Sequence, residues 1–313
     1  DSMGVNVRHS AFLCPGQASQ KVGMCKDIYE LNDYAKDRID SANDILGYDI
    51  KTIMFSGPEE LLRQTIHTQP AMYIVSFIIG KLLMKNGFNP SCGAGHSLGE
   101  FSAFSIAGAF SYKDGLKLVQ ARAEAMHEAG QKRPGTMAAV VGLEEIKIEE
   151  ICRNFSNGVA CIANYNSSSQ VVISGDVDSI ENVTPQLLEA GAMKVIPLNV
   201  SGAFHSPLMS SAKEKLEKYL TSMEIGNAAF PVYVNFTSKA VKEKLEIQNA
   251  LLNQIENPVL WHRSITQMMK DGVRSCIEIG PGKVLQGLSR RIDRSLIMYG
   301  AESYEDILNL TNV

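Results

Sequence analysis

Residues 91–109 read SCGAGHSLGEFSAFSIAGA. Ser91 to His96 is a short run of small residues that predicts a buried strand, and Ser97 to Ala109 predicts a helix rich in Ala, Phe and Ile. The junction Gly95-His96-Ser97-Leu98-Gly99 matches G-x-S-x-G in the strand-to-helix context that a nucleophile elbow requires. This stretch therefore predicts an α/β fold with Ser97 as a nucleophile and the Leu98 N–H as an oxyanion donor. A serine that only caps the helix is the alternative.

A serine nucleophile needs a base, and the chain has six histidines. His205 differs from the others because it lies in a loop of small residues, Ser201 to Pro207, where clefts form between domains. His96 is adjacent to Ser97, so its side chain is expected to point away. His205 is therefore predicted as the base, with a hydrogen-bonded turn histidine as the alternative. No acidic residue stands out as a third triad member, so a backbone carbonyl is one candidate to orient the ring.

The flanking sequence extends the α/β pattern on both sides. Ala11 to Cys14 and Ser275 to Ile279 predict buried strands, and Val232 to Phe236 predicts another. Pro70 to Lys85 predicts a long helix with Pro70 at its first position, and Met209 to Met223 predicts a helix after the histidine loop.

The middle of the chain has a different rhythm. From Met137 to Leu198 the predicted order is β-α-β-β-α-β, which is the ferredoxin-like pattern. We therefore expect a larger domain formed by residues 4–134 and 203–313, and an inserted ferredoxin-like subdomain formed by residues 135–202.

Composition narrows the possible functions. The chain of 313 residues has a net charge of −4, a 7% aromatic content and one tryptophan, which argue against nucleic-acid binding. The longest apolar stretch, Ala71 to Met84, is too short to cross a bilayer, and no signal peptide is recognised. Six cysteines without CxxC spacing or clustered histidines predict neither a zinc site nor a disulfide framework. We expect a cytoplasmic protein with no metal and no membrane contact.

Several blocks together resemble the malonyl-CoA:acyl carrier protein transacylases and the related acyltransferase domains of polyketide synthases. The resemblance covers roughly residues 10–300 and includes, in order, PGQASQ at 15–20, GHSLGE at 95–100, QARAEAM at 120–126, a hairpin at 164–175, FHS at 204–206, NPVLW at 257–261 and EIGPG at 278–282. Two residues depart from the usual pattern, since Ala18 and Ala123 stand where the family usually has glycine.

The resemblance implies an α/β-hydrolase-like larger domain with the active site in the cleft beside the insert. It implies Ser97 as nucleophile and His205 as base, with the backbone N–H groups of Gln17 and Leu98 as the oxyanion hole. Arg122 matches the arginine that binds the substrate carboxylate. Gln254 matches the glutamine that helps to fix this arginine and the malonyl group.

The implied activity is transfer of a malonyl group from malonyl-CoA to the phosphopantetheine thiol of acyl carrier protein, for fatty-acid synthesis. Coenzyme A thioester is then a substrate, no further cofactor is expected, and the protein is expected to be a monomer. In polyketide acyltransferases, a phenylalanine directly before the catalytic histidine tends to accompany selection of malonyl groups, and Phe204 is in that position here. A basic patch at Arg290, Arg291 and Arg294 is a candidate surface for the acidic carrier protein, with a solvated helix face as the alternative.

Three other functions remain open from the sequence. The first is a free-standing polyketide-synthase acyltransferase. The second is a serine hydrolase of acyl thioesters on the same fold, against which Arg122 argues because a neutral acyl chain has no carboxylate to bind. The third is a catalytically silent docking module, against which the complete set of site residues argues.

Overall fold

The ten strands that the structure describes lie in two separate sheets. The structure is a computed structural model and describes residues 6–312. The strands are β1 (Ala11–Cys14), β2 (Gly93–Gly95), β3 (Gly135–Val141), β4 (Ala160–Ser167), β5 (Gln170–Asp176), β6 (Lys194–Pro197), β7 (Val232–Tyr233), β8 (Ala240–Val241), β9 (Ser275–Ile279) and β10 (Ile297–Ala301).

Helices pack against both sheets, so the fold is mixed α/β. They are α1 (Lys26–Leu31), α2 (Asp33–Leu46), α3 (Ile50–Ser56), α4 (Glu59–Arg63), α5 (Thr65–Lys85), α6 (Gly99–Ile106), α7 (Tyr112–Lys132), α8 (Glu145–Asn154), α9 (Val177–Glu189), α10 (Ser210–Ser222), α11 (Lys244–Asn253), α12 (Trp261–Lys270), α13 (Val284–Ile292) and α14 (Tyr304–Thr311). Among residues 6–312, none of these helices is long and apolar enough to cross a membrane.

The larger sheet has the order β10-β9-β1-β2-β7-β8 and is parallel except for the β7–β8 pair. Every residue of β1, β2 and β9 is buried, as expected for parallel strands with helices on both faces. One apolar cluster includes residues of α5, α6 and α7, and a second includes residues of α12 and α13. The carboxyl ends of β1 and β2 lie together at the centre of the sheet, at Cys14 and Gly95.

The smaller sheet is antiparallel throughout, with the order β4-β5-β3-β6. Helices α8 and α9 follow β3 and β5 in the chain, which gives the β-α-β-β-α-β order that the sequence predicts. These elements share an apolar cluster of their own.

Chain crossings and backbone hydrogen bonds are among the contacts that join the two sheets. The chain enters the smaller sheet at Gly135 and leaves it beside Ala203, so close that a Cβ on Gly135 would lie 2.6 Å from the Ala203 Cβ. Val259 of the larger part also pairs with β4, because its N–H donates to the Ala163 carbonyl at 2.7 Å and its carbonyl accepts from Tyr165 at 2.9 Å. The predicted boundary residues 4 and 313 lie outside the described residues.

Two predicted helix starts are wrong. Helix α5 begins at Thr65, so Pro70 is its sixth residue rather than its first. A proline there leaves the Ile66 carbonyl without its helical donor, and the Tyr48 hydroxyl donates to that carbonyl at 3.3 Å. Helix α6 begins at Gly99 rather than at Ser97, because Ser97 has a φ of +54° and cannot be helical.

Candidate active site

The turn between β2 and α6 holds Ser97 in a left-handed backbone conformation, at a φ of +54°. The turn is so tight that a Cβ on Gly95 would lie 2.0 Å from the Gly99 carbonyl carbon. A Cβ on Gly99 would lie 2.0 Å from the Cys14 carbonyl oxygen. Only glycine fits at these two positions, so the G-x-S-x-G spacing is a steric requirement of the turn.

Ser97 and His205 are in hydrogen-bond contact. The Ser97 Oγ lies 2.7 Å from the His205 Nε2, and the His205 Nδ1 lies 2.7 Å from the Gln254 carbonyl oxygen. A carbonyl only accepts, so Nδ1 carries the proton and Nε2 is free to accept from the serine hydroxyl. A backbone carbonyl therefore occupies the place that an Asp or Glu fills in other triads.

Burial keeps this imidazole neutral. Removal from water, together with the positive charge of Arg122, lowers the pKa of His205 to about 3, although the Gln254 carbonyl opposes the shift. The loop places His205 at a φ of +57°, another left-handed position. A neutral histidine whose Nε2 faces a serine hydroxyl has the state and the geometry of a general base.

His96 faces the smaller sheet instead. Its Nε2 donates to the Asn166 Oδ1 of β4 at 2.8 Å, and its ring centroid lies 5.5 Å from that of Trp261. His96 thus lines the same cavity as Ser97 but is hydrogen-bonded elsewhere.

Arg122, on α7, is 1% exposed and reaches Ser97 from the helix side. Its Nη2 donates to the Gln254 Oε1 at 2.6 Å and to the Ser97 Oγ at 3.1 Å, and its Nη1 donates to the Gln69 Oε1 at 2.7 Å. The Nε has no partner among the described residues. These acceptors are all neutral, so a buried positive charge beside Ser97 is left to pair with an anionic ligand.

Gln254 connects the other site residues. Its carbonyl orients His205, its Oε1 accepts from Arg122, and its Nε2 donates to the Ser97 carbonyl at 2.9 Å. Gln254 begins a short 3-10 turn after α11 and is fully buried.

Gln17 and Leu98 line the same cavity, and their backbone N–H groups are the predicted oxyanion donors. Neither has a hydrogen-bond partner in residues 6–312, whereas the Ser97 N–H donates to the Asn235 Oδ1 at 2.8 Å. The Gln17 side chain is held by Thr65 of α5, whose hydroxyl donates to its Oε1 at 3.1 Å. Unpaired N–H groups beside a nucleophile are what an oxyanion hole requires, so Gln17 and Leu98 remain candidates for that role.

The cavity has a volume of about 300 Å³ and lies between the two sheets. The larger part contributes Ser97 and Met126, and the smaller part contributes Met137 and Asn164. Phe204 packs against Gly202, where an added Cβ would lie 2.5 Å from the ring, and fills one side of the cavity. The cavity suits a small acyl group.

Three buried polar residues around the site were not identified from the sequence. Gln69 binds Arg122, Asn235 binds the Ser97 N–H, and Glu100 accepts from the Asn235 N–H at 2.9 Å. Glu100 belongs to the GHSLGE block, which by itself predicts no role for this carboxyl. The sequence signal for Glu100 is a carboxyl within an otherwise apolar predicted helix, since charged residues are rarely buried without a partner.

Burial raises the pKa of Glu100 to about 8, although the Asn235 N–H and Arg122 oppose the shift. Burial also lowers the pKa of Arg122 to about 9, while Glu100 opposes the shift, so the guanidinium is charged at neutral pH. Within residues 6–312 there is no group of three or more His, Cys, Asp and Glu side chains that could hold a metal ion.

Three comparisons with known proteins all find acyl transferases. A family profile described as an acyl transferase domain matches residues 11–302. The malonyl CoA-acyl carrier protein transacylase of Bacillus subtilis (strain 168) is 39% identical over 288 residues, which is 91% of each chain. A solved malonyl-transacylase in complex with a type II PKS acyl-carrier protein is 35% identical with a TM-score of 0.94, covering 97% of this chain and 99% of that one. An acyl carrier protein S-malonyltransferase from Vibrio cholerae is 37% identical with a TM-score of 0.92, covering 96% and 99%.

Proposed function

This chain belongs to the acyl transferase domain family, and we propose that it transfers a malonyl group from malonyl-CoA to the phosphopantetheine thiol of acyl carrier protein. Ser97 holds the malonyl group between the two half-reactions, and the pathway supplied is fatty-acid synthesis. The observation that supports this most directly is the buried, charged Arg122 whose Nη2 lies 3.1 Å from the Ser97 Oγ.

In the first half-reaction the His205 Nε2 takes the proton of the Ser97 hydroxyl. The oxygen attacks the thioester carbonyl, and the N–H groups of Gln17 and Leu98 donate to the oxyanion that forms. The intermediate collapses as the carbon–sulfur bond breaks, and His205 returns the proton to the sulfur. Coenzyme A leaves as a thiol and malonyl-Ser97 remains.

The second half-reaction reverses these roles. The phosphopantetheine thiol of the carrier protein gives its proton to His205 and attacks the malonyl ester. Ser97 leaves with the proton from His205, and malonyl-carrier protein is released. Neither half-reaction changes an oxidation state, and we propose that it needs no cofactor besides the coenzyme A thioester substrate.

Arg122 selects the acyl group. The malonyl carboxylate binds the guanidinium through parallel charge-assisted hydrogen bonds, in place of the contact to Ser97. Gln254 and Gln69 hold the guanidinium in position. An acetyl group would leave the buried charge with neutral partners only, so we expect acetyl transfer to be disfavoured.

We also propose a division of the chain into two domains. Residues 4–134 and 203–313 form an α/β-hydrolase-like domain, and residues 135–202 form a ferredoxin-like subdomain. The strand order β4-β5-β3-β6, with α8 and α9 connecting the strands, supports the ferredoxin-like assignment of the subdomain. The six cysteines are free, and five are buried, which supports a reducing compartment such as the cytoplasm. We propose a monomer.

We assign carrier-protein docking to Arg290, Arg291 and Arg294. Arg290 and Arg291 lie in the last turn of α13 and Arg294 lies just after it. All three are exposed and line a surface groove with Ser169 of the smaller part. The Arg291 Nη1 donates to the Gln170 Oε1 at 3.0 Å. The patch is basic on a chain of net charge −4, which favours an acidic partner there.

Type II polyketide synthesis is the second candidate pathway, since one similar structure is bound to a type II PKS carrier protein. Comparing kcat/KM for a fatty-acid carrier protein with that for a type II polyketide carrier protein decides between the two.

Intact mass of the protein after mixing with malonyl-CoA or acetyl-CoA, without carrier protein, tests the activity. We expect a malonyl adduct that is absent in Ser97→Ala. In Arg122→Ala we expect malonyl adduct formation to slow by about 100-fold or more, with the preference shifting toward acetyl. Arg133→Ala, at the exposed end of the same helix, is the control and should behave as wild type. Free coenzyme A without an adduct would support a hydrolase, and neither product would support a silent docking module.

A further inference from the structure

Both backbone polar groups of Ser97 are held by side-chain amides. The Gln254 Nε2 donates to the Ser97 carbonyl, and the Asn235 Oδ1 accepts from the Ser97 N–H at 2.8 Å. Asn235 also reaches the other side of the turn, because its Nδ2 donates to the Gly95 carbonyl at 2.7 Å. One carboxamide therefore spans the left-handed turn at the nucleophile.

Asn235 is itself held on all sides. It is fully buried, its N–H donates to the Glu100 Oε2 at 2.9 Å, and its carbonyl accepts from Leu260 at 3.0 Å. Leu260 follows Val259, which pairs with β4 of the smaller sheet. Asn235 thus connects the turn to the segment that pairs with the smaller sheet, in addition to the contact between His96 of the turn and Asn166 of β4.

We propose that Asn235 is a positioning residue for the nucleophile, and that Glu100 holds Asn235 in place. This inference rests on the proposed acyl transfer through Ser97. The Asn235 carboxamide maintains the strained turn that aims the Ser97 Oγ at His205. It also occupies the Ser97 N–H, which leaves the Leu98 N–H as the free donor of this turn toward the oxyanion.

The inference separates two quantities. Asn235 does not line the cavity, and Arg122 donates its hydrogen bonds to Gln69, Ser97 and Gln254 rather than to Asn235. Loss of the carboxamide should therefore slow attack by Ser97 but leave the affinity for malonyl-CoA unchanged. A side chain that only stabilised the fold would change neither quantity in a folded variant.

The test measures the rate of malonyl-Ser97 formation by rapid-quench intact mass, and the Kd of malonyl-CoA by calorimetry in Ser97→Ala. In Asn235→Ala we expect acylation to slow by about 100-fold, the effect of a small misplacement of a reacting atom. The Kd for Ser97→Ala/Asn235→Ala should stay within about twofold of that for Ser97→Ala, since the substrate contacts are intact.

A second variant uses protonation as a rescue. In Asn235→Asp a neutral carboxyl can both accept from Ser97 and donate to Gly95, whereas a carboxylate can only accept. Acylation by Asn235→Asp should therefore approach the wild-type rate at low pH and fall as pH rises. Asn235→Ala should stay slow at every pH.

Tyr73→Phe is the matched control. The buried hydroxyl of Tyr73 lies 2.7 Å from the Ser105 Oγ and donates to the Tyr112 carbonyl at 2.9 Å, and Tyr73 does not line the cavity. The Tyr73→Phe variant should therefore have a lower unfolding temperature but an unchanged rate of acylation. The inference is overturned if folded Asn235→Ala acylates within threefold of wild type, or if rate and affinity fall together. A wild-type protein that forms no adduct would overturn the proposed function as well.

Discussion

Left-handed backbone angles concentrate at the cavity. Among the described residues, five non-glycine residues have a positive φ, and three of them, Ala18, Ser97 and His205, line the cavity. Each such residue costs about 1–3 kcal/mol and persists only when its surroundings hold it. Ala18 stands where the resembled family usually has glycine, and its N–H is held by the Gln20 Oε1 at 2.7 Å. The site geometry is therefore imposed by contacts rather than by local preference.

The low pKa of His205 predicts an unusual pH profile. The imidazole of the free protein is already neutral above about pH 3, so kcat/KM for malonyl-CoA should show no acid limb near pH 6.5. The measurement is kcat/KM between pH 5 and 7.5, with circular dichroism to verify that the protein remains folded. A tenfold fall per pH unit below 6.5 would show that His205 titrates as an exposed histidine does.

Glu100 should make stability depend on pH. Its pKa is 4.5 unperturbed and about 8 when folded, so the folded protein binds the proton more tightly. The resulting stability is complete below pH 4.5 and is lost as pH rises to 8. Relative to Glu100→Gln, wild type should therefore lose unfolding free energy between pH 5 and 8, by up to about 1.4 kcal/mol per pH unit. Urea unfolding at several pH values measures this.

Glu181 is exposed, so Glu181→Gln is the control for the pH dependence of the unfolding free energy that arises from groups other than Glu100. If the difference in unfolding free energy between Glu100→Gln and wild type is the same at pH 5 and pH 8, Glu100 does not bind its proton more tightly in the folded state than in the unfolded state.

At the scale of elements, the unit β2–turn–α6 was predicted because its chemistry is local. Small residues, two glycines and a following apolar helix all fall within 19 positions, 91–109. The predicted start of helix α5 is wrong for the opposite reason. Its first five residues depend on partners far along the chain, such as Thr65 on Gln17 and the Ile66 carbonyl on Tyr48.

Glycine substitutions in two helices test the steric account of the turn. In Gly99→Ala the added Cβ would lie 2.0 Å from the Cys14 carbonyl oxygen, so the unfolding free energy should fall by about 3 kcal/mol or more. Gly287→Ala, inside α13, is the control because no atom lies within 4 Å of its added Cβ. It should gain up to about 1 kcal/mol from lower unfolded-state entropy. Denaturant titration measures both, and equal effects would contradict the account.

At the scale of the molecule, the cavity exists because two sheets meet. Residues of the smaller part, such as Met137 and Asn164, close one side of a site whose reactive groups all come from the larger part. Pairing of Val259 with β4 fixes the two sheets to each other near Gln254 and Asn235. Movement of the smaller part would therefore disturb the nucleophile turn as well as the cavity wall.

Charge reversal at the basic patch tests the docking surface. Arg290→Glu/Arg294→Glu should raise KM for carrier protein about tenfold and make it less sensitive to salt, because the acidic partner loses its attraction. The rate of malonyl-Ser97 formation from malonyl-CoA should not change, which is the internal control. An unchanged KM for carrier protein would place docking elsewhere.

The sequence by itself indicated the α/β class, the inserted β-α-β-β-α-β segment, and Ser97 and His205 as candidates for nucleophile and base. These features depend on local periodicity, on turn sterics or on a short motif. Gln17, Arg122 and Gln254 were placed only through resemblance, because nothing local distinguishes them from other glutamines and arginines. The tertiary structure alone decided that the Gln254 carbonyl orients His205, that Gln69 supports Arg122, and that Asn235 and Glu100 hold the turn. These contacts join residues 49 to 138 positions apart, and no local pattern encodes which buried polar groups will meet when the chain folds.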